Sequence, residues 1–146
     1  MVHDSDNYII HVPVYLFCDR SLSVLESLVE YLKEILGLSY HKIALLTNRD
    51  DRNIWTVYHR VLQKRKGRPK IKIVPRKEAF NDVFIPLDIL KDRSLSVLEV
   101  VVEHLEKKGF TNHEIAVLLN RDDRTIWTCN NRALKKRKAL RGGKNK

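Results

Sequence analysis

Apolar residues recur every three or four positions in two long segments of the chain, which is the spacing of one face of an α-helix. A Ser-x-x-Glu capping box, Ser23–Glu26 in one segment and Ser96–Glu99 in the other, marks the start of each helix. Gly37 and Gly109 mark the ends, because a helix often stops at a left-handed residue that glycine adopts freely. The pattern therefore predicts a long first helix in each segment. Its apolar face comprises Leu25, Leu28, Val29 and Leu32, or Leu98, Val101, Val102 and Leu105.

A second, shorter helix is predicted after Ser39, and its counterpart begins at the capping box Thr111–Glu114. A tight turn follows each short helix. Asn48 and Asn120 stand where that turn requires positive φ, which Asn tolerates next best after Gly.

Paired aspartates, Asp50-Asp51 and Asp122-Asp123, then begin a third helix, since carboxylates cap helix N-termini and favour the helix dipole. Ile54 and Ile126 start the apolar face of this helix, which gives way to lysine and arginine.

The two segments are copies of one unit. The sequence DRSLSVLE occurs unchanged at 19–26 and 92–99, and HKIALLTNRDDRNIW in the first segment aligns with HEIAVLLNRDDRTIW in the second. The offset is 73 residues before the two glycines and 72 after them. We therefore predict an all-α chain of two tandem three-helix helix-turn-helix units related by internal duplication. The units span residues 8–66 (the first repeat) and 81–138 (the second repeat), with a basic linker at 67–80 and a basic tail at 139–146.

A short apolar stretch with a central proline precedes each unit, Val12-Pro13-Val14 and Ile85-Pro86-Leu87. We interpret it as an extended arm or a single turn under the core, and a β-hairpin is less favoured. Val97 and Val100 widen the apolar face of the second repeat and suggest a contact with the other repeat or another chain.

The charge of the chain is concentrated in two equivalent places. The net charge is +10, and residues 60–77 and 132–146 hold 17 of the 28 basic residues with no acid among them. The remainder has 11 basic against 18 acidic residues. Clustered positive charge of this kind favours a polyanionic partner, and nucleic acid is the first candidate.

Other classes of protein find little support. Cys18 and Cys129 occupy non-equivalent positions and form no metal-binding pattern, so free thiols are expected. No catalytic set, cofactor motif or metal site stands out, which argues against an enzyme. No signal peptide or 18-residue apolar run appears, and the basic runs lack apolar anchors, so we expect no membrane role and a cytoplasmic, nucleoid-associated protein.

The second and third helices carry the features of a helix-turn-helix. Ala44 and Ala116 allow two helices to approach closely, and the turn asparagines follow four residues later. In the second repeat a long helix is followed by the sequence EIA, a small turn, TI and a trailing RALKK. This order resembles the promoter-reading region 4 of bacterial sigma factors and the LuxR-type DNA-binding domain. This resemblance covers both repeats and implies that the third helix enters the DNA major groove.

By position, the resemblance assigns a set of residues that face DNA in each repeat. Arginines would contact guanine or phosphate, Asn131 would pair with adenine, and lysines of the basic stretches, Lys135 and Lys136 among them, would contact phosphates. The assigned residues are Arg49, Arg52, Trp55, Thr56, His59 and Arg60, then Arg121, Arg124, Thr125, Trp127, Thr128, Asn131 and Arg132.

Two features of these helices leave alternatives open. The aspartates either cap the helix or accept a hydrogen bond from the amino group of cytosine. Trp55 and Trp127 either lie on the recognition face or are partly buried and close a small core.

The linker holds a separate candidate, Lys64-Arg65-Lys66-Gly67-Arg68-Pro69-Lys70. It resembles an AT-hook, whose Gly-Arg-Pro centre lies in the A·T minor groove with cations on phosphates. The alternative is a merely basic linker in which Gly67 ends the helix and Pro69 prevents its continuation.

The sequence thus favours a protein that binds double-stranded DNA without catalysing a reaction, as a transcriptional regulator or a nucleoid-associated protein. Formation of a homodimer is compatible with this prediction. The alternative is a sigma-like adaptor, a protein interaction module that binds transcription machinery, which acidic helix starts and exposed tryptophans would suit.

Overall fold

The computed structural model of the chain describes residues 9–66 and 83–144, the last three of them by their backbone alone. Each repeat contributes a strand, a 3₁₀ helix and three α-helices within these ranges. The first repeat comprises β1 (His11–Pro13), a 3₁₀ helix (Val14–Cys18), α1 (Val24–Glu34), α2 (Tyr40–Thr47) and α3 (Asp51–Arg65). The second comprises β2 (Phe84–Pro86), a 3₁₀ helix (Leu87–Lys91), α4 (Val97–Lys107), α5 (Asn112–Leu119) and α6 (Asp123–Lys144).

The helix starts follow the capping chemistry that the sequence predicts. Ser23 and Ser96 form complete capping boxes with Glu26 and Glu99, and Thr111 forms a third at the start of α5. These bonds satisfy backbone amides that have no partner within the helix. The long first helix of each repeat is therefore fixed at its N-terminus.

The turn between the second and third helices is left-handed in both repeats. Asn48 has φ 55° and Asn120 has φ 54°, and these are the positive-φ residues other than glycine in the described part of the chain. The next amide, of Arg49 or Arg121, donates to the carbonyl oxygen of Ala44 or Ala116 at 2.9 Å. The predicted role of the two asparagines is confirmed.

The two arms, residues 11–18 (the first arm) and 84–91 (the second arm), each reach across to the other repeat, and we call this arrangement the exchange of the arms. The 3₁₀ helix of the first arm packs against α1 of its own repeat and α5 of the other, and that of the second arm packs against α4 and α2. β1 pairs with β2 in an antiparallel ribbon. Each arm thus completes the helical core of the other repeat, and two units that are individually near the lower size limit for a stable core share one.

A single buried cluster runs through both repeats. Phe17 and Leu90, one from each arm, are almost fully buried beside residues of the long helices such as Leu28 and Val101. α1 also contacts α4, where Val100 is buried. The wider apolar face of the second repeat therefore lies in the shared core.

The prediction of a mainly helical chain is confirmed, with two differences in detail. The arms form a two-stranded sheet with each other, which a local pattern of apolar residues does not reveal. α6 runs on to Lys144 and crosses the expected boundary at 138, because the lysine- and arginine-rich segment is compatible with helix.

Candidate nucleic-acid interface

One face of α3 and the equivalent face of α6 are accessible to solvent. Residues at intervals of three and four positions along each helix share this face, opposite the buried Ile54 and Ile126. Neither face carries an acidic residue. We call these faces the first stripe and the second stripe. The first stripe comprises Arg52, Trp55, Thr56, His59, Arg60 and Gln63, and the second comprises Arg124, Trp127, Thr128, Asn131, Arg132 and Lys135.

The two tryptophans are on the outside of the molecule. Trp55 is 49% exposed and Trp127 is 60% exposed, so neither closes the core. The ring of His59 stacks on Trp55 with centroids 3.6 Å apart, and His59 Nδ1 lies 2.9 Å from the Trp55 carbonyl oxygen. The indole of the first stripe is therefore braced by its neighbour, whereas the second stripe has Asn131 at the same position.

The aspartates cap their helices. Asp50 accepts a hydrogen bond from the amide of Asn53 at 2.7 Å, and Asp122 accepts one from the half-buried Thr125 at 2.8 Å. The bonds from Thr125 hold the pKa of Asp122 below its ordinary value. The capping interpretation therefore accounts for the first aspartate of each pair.

The second aspartate of each pair contacts a histidine from the preceding helix. Asp51 lies 3.2 Å from His41 Nδ1, and Asp123 lies 3.1 Å from His113 Nδ1. All four side chains are largely exposed. These contacts tie the start of the third helix to the start of the second in both repeats.

Arg49 and Arg121, which the resemblance assigns to DNA, lie at the turn and donate to the protein backbone. Arg49 donates to the Thr47 carbonyl oxygen at 2.9 Å, and Arg121 donates to those of Leu119 at 2.7 Å and Phe17 at 3.2 Å. Burial lowers the pKa of both guanidinium groups. These contacts give the two arginines a structural role, and the bond from Arg121 to Phe17 joins the two repeats.

Equivalent lysines of α3 and α6 are paired with acids of the first helices. Lys64 Nζ lies 2.6 Å from Glu26 Oε1, and Lys136 Nζ lies 2.7 Å from Glu99 Oε1. Both glutamates are buried capping-box residues. The capping glutamates therefore also anchor the third helix, and these two lysines are partly neutralised within the protein.

Two arginines form a stronger version of the same contact. Arg65 is bound to Asp19 at 2.8 Å and to Glu30 at 3.0 Å, and its side chain is only 17% exposed. Arg137, its counterpart, is bound to Asp92 and Glu103. Hydrogen bonds to these carboxylates raise the pKa of both guanidinium groups. The basic runs are thus a mixture of internal anchors and exposed cations such as Lys66 and Lys135.

Arg20 and Arg93 were not among the residues predicted to face DNA. Both are exposed and follow the arms by two residues. Because the Cys18 carbonyl oxygen accepts a hydrogen bond from Asn120 at 3.0 Å, Arg20 is held near the start of α6. Attraction to its charge contributes to lowering the pKa of Asp122, and repulsion from Arg93 contributes to lowering that of Arg49.

The exchange of the arms thus places one arginine of each repeat near the start of the third helix of the other. The sequence signal was the arginine inside the unchanged DRSLSVLE, which capping and core packing leave unexplained.

The centre of the AT-hook-like segment, Gly67, Arg68 and Lys70, lies outside the described residues, as does the linker as a whole. No α-helix among residues 9–66 and 83–144 combines the length and the apolar character needed to cross a membrane. Comparison of the chain with protein-family models, with curated proteins and with solved structures finds no match.

Proposed function

We propose that the protein binds double-stranded DNA, without catalysing a reaction, as a regulator of transcription or a coat of the nucleoid. In this proposal α2 with α3, and α5 with α6, act as two helix-turn-helix units. The third helix of each enters the major groove and its stripe contacts base edges and phosphates. The linker and tail add phosphate or minor-groove contacts.

The observation that carries the proposal is the composition of the two stripes. Each presents two arginines, a threonine and an exposed tryptophan on the helix that follows the left-handed turn, and the second adds Asn131 and Lys135. Arginine matches the acceptors of guanine, Asn matches adenine, and threonine contacts either base or phosphate. A helix whose only role was packing would have no need to repeat this outward face in both copies.

Electrostatics support the same partner. Arg52, Arg60, Arg124 and Arg132 are exposed, while Arg65 and Arg137 are neutralised by internal carboxylates. Four exposed arginines therefore lie along the stripes, and Arg20 and Arg93 add positive charge near the helix starts. Cations placed on phosphates release counterions, so the affinity would fall steeply with salt.

A titration with DNA tests the proposal. The chain is titrated against a mixed-sequence duplex and an A·T-rich duplex at two salt concentrations, and complexes are resolved by gel mobility shift. We expect binding to both at low salt and weaker binding at high salt. A preference for the A·T-rich duplex that disappears when Arg68 is replaced by alanine would support the minor-groove role of the linker. The absence of any complex at low salt would overturn the proposal.

A second candidate function rests on the exposed tryptophans and the aspartates beside them. An indole that is 49% or 60% exposed is an effective anchor in a protein interface, and capping aspartates beside it would suit a basic partner. The chain would then be an adaptor that binds transcription machinery. Replacing Trp55 and Trp127 by alanine discriminates the two functions, since it would abolish an interface centred on indoles while phosphate-dominated DNA binding would be largely retained.

A further inference from the structure

We propose that the DNA target is an inverted repeat with two related but unequal half-sites, spanned by a single chain. The inference rests on the proposed function and specifies its substrate. It follows from the symmetry with which the two repeats are joined. A tandem duplication could equally have produced two units in the same orientation, which would fit a direct repeat.

The pairing of the strands establishes the symmetry. Val12 is equivalent to Ile85 in the duplication, and these two residues are paired with each other. On either side His11 pairs with Pro86, and Pro13 pairs with Phe84. Equivalent residues exchange places in this register. An approximate two-fold axis therefore passes through the Val12–Ile85 pair.

The hydrogen bonds around the ribbon obey the same axis. Val14 donates to the Val83 carbonyl oxygen at 3.0 Å, and Leu87 donates to that of Ile10 at 2.7 Å. These are the same bond made once from each repeat. α1 and α4, which are also equivalent, contact each other.

The symmetry extends to the third helices through the asparagine turns. Asn48 Nδ2 donates to the Lys91 carbonyl oxygen at 3.0 Å, and Asn120 Nδ2 donates to that of Cys18 at 3.0 Å. Each turn directly precedes a third helix. The turns before α3 and α6 are thus anchored to the ends of the two arms by reciprocal bonds, and these contacts follow the same axis.

Two-fold symmetry of the protein dictates the symmetry of the site. B-DNA has local two-fold axes, so a protein with a two-fold axis presents the same side chains to both strands in opposite directions. Half-sites read in this way are inverted repeats, about one helical turn (~10 bp) or a multiple of it between centres. Because the duplication already supplies both halves, one chain would suffice where other proteins use a dimer.

The half-sites should differ where the stripes differ. Four of the six positions carry the same residue in both stripes. The exceptions are His59, which faces Asn131 in the alignment, and Gln63, which faces Lys135. Asn makes a bidentate contact with adenine that histidine does not reproduce. We therefore place the difference between the half-sites at the bases near these two positions.

Selection of bound duplexes from a random pool tests the inference. We expect enrichment of two similar motifs in inverted orientation, with one chain per duplex in sedimentation measurements. Two motifs in direct orientation, a single motif, two chains on one site or one chain joining two duplexes would each overturn the inference while leaving DNA binding intact. Failure to enrich any sequence in a chain that still binds DNA would also overturn it, whereas failure to bind DNA would refute the proposed function itself.

A double variant tests which stripe contacts which half-site. His59→Asn combined with Gln63→Lys makes the residues of the first stripe identical to those of the second. The sequences selected by this variant should approach a perfect inverted repeat. Leu45→Val is the matched control, because it also makes the repeats more alike but lies on the exposed side of α2 outside both stripes. If the double variant selects the same unequal half-sites as the wild type, the assignment of the two half-sites to the two stripes is refuted.

Discussion

The side chain of Asn48 donates a hydrogen bond of 3.0 Å to the carbonyl oxygen of Lys91, which belongs to the other repeat. The same residue has φ 55°, in the left-handed region. One asparagine therefore does two things at once: it turns the chain between α2 and α3, and it attaches that turn to the second arm. The counterpart Asn120 does the same for α6 and the first arm.

Two substitutions separate these contributions. Asn48→Gly keeps the left-handed backbone and removes the bond, so we expect the free energy of unfolding to fall by about 1 kcal/mol. Asn48→Ala also forces an ordinary residue into the left-handed region, which costs about 1–2 kcal/mol more. Urea denaturation of both variants provides the measurement. Equal stability of the alanine and glycine variants would contradict the backbone role.

The exchange of the arms predicts the behaviour of a single repeat. A fragment of residues 1–66 retains its own arm but lacks the second arm that covers α2. Since the two arms are similar in sequence, we expect the fragment to fold only as a homodimer in which two copies exchange arms. Circular dichroism and sedimentation equilibrium over a range of concentrations would follow helix content and mass together. A folded monomer would show that the exchange is dispensable.

The division of the cations into anchors and exposed groups predicts different phenotypes for similar substitutions. Arg20→Ala with Arg93→Ala should leave stability nearly unchanged and weaken DNA binding, since both side chains are exposed near the helix starts. If each neutralises one phosphate, the slope of log Kd against log salt should decrease by roughly 0.9 per residue. Arg65→Ala is the contrasting variant, because its internal ion pairs should make its main effect a loss of stability.

The salt dependence of binding, measured by fluorescence anisotropy, and the denaturation midpoint of each variant distinguish these effects. A salt slope that changes with Arg65→Ala and not with the Arg20 and Arg93 variant would reverse the assignment.

Buried carboxylates predict how stability depends on pH. Burial opposes the ionisation of Glu99, but hydrogen bonds from Lys136 and the Ser96 amide outweigh it and hold the pKa of Glu99 below its ordinary value of 4.5. The pKa of Glu26 is lowered for the same reasons by Lys64 and Ser23. As the pH falls, the unfolded state takes up these protons before the folded state does.

The contribution of the two glutamates should therefore be complete above pH 4.5 and be lost as the pH falls through the lowered pKa values. Urea midpoints between pH 7 and pH 3 measure this loss. The doubly substituted protein, Glu26→Gln and Glu99→Gln, should be less stable at neutral pH and have a flatter profile below pH 4.5. A profile with the slope of the wild type would show that other groups cause the acid sensitivity.

The local elements could be predicted from the sequence because their determinants are local. The capping boxes at Ser23 and Ser96, the left-handed asparagines and the apolar faces each depend on residues within a few positions of one another. The exchange of the arms could not be predicted in this way. Val12 and Ile85 are distant along the chain, and the sequence of neither arm indicates which repeat that arm will contact.

The resemblance predicts most residues of the stripes, and the structure places these on accessible faces of α3 and α6. Arg49 and Arg121, which it also assigns to DNA, lie at the turns, and Gln63 of the first stripe was not predicted. The role of the flanking cations was harder to predict. Arg65 and Lys66 are adjacent basic residues, yet one lies between two carboxylates and the other is exposed. Composition gives the total charge of such a run and only the fold decides which charges remain available to a partner.

The most direct test of the account is the sequence preference of a variant with Arg52→Ala and Arg124→Ala. The dissociation constant is measured for a duplex selected by the wild type and for a scrambled duplex of the same composition, with Lys107→Ala on α4, outside both stripes, as the control. If both arginines contact bases, the preference for the selected duplex should fall by about 1–3 kcal/mol per arginine, while the control keeps it. An unchanged ratio of the two dissociation constants in the arginine variant would contradict the claim that α3 and α6 read DNA.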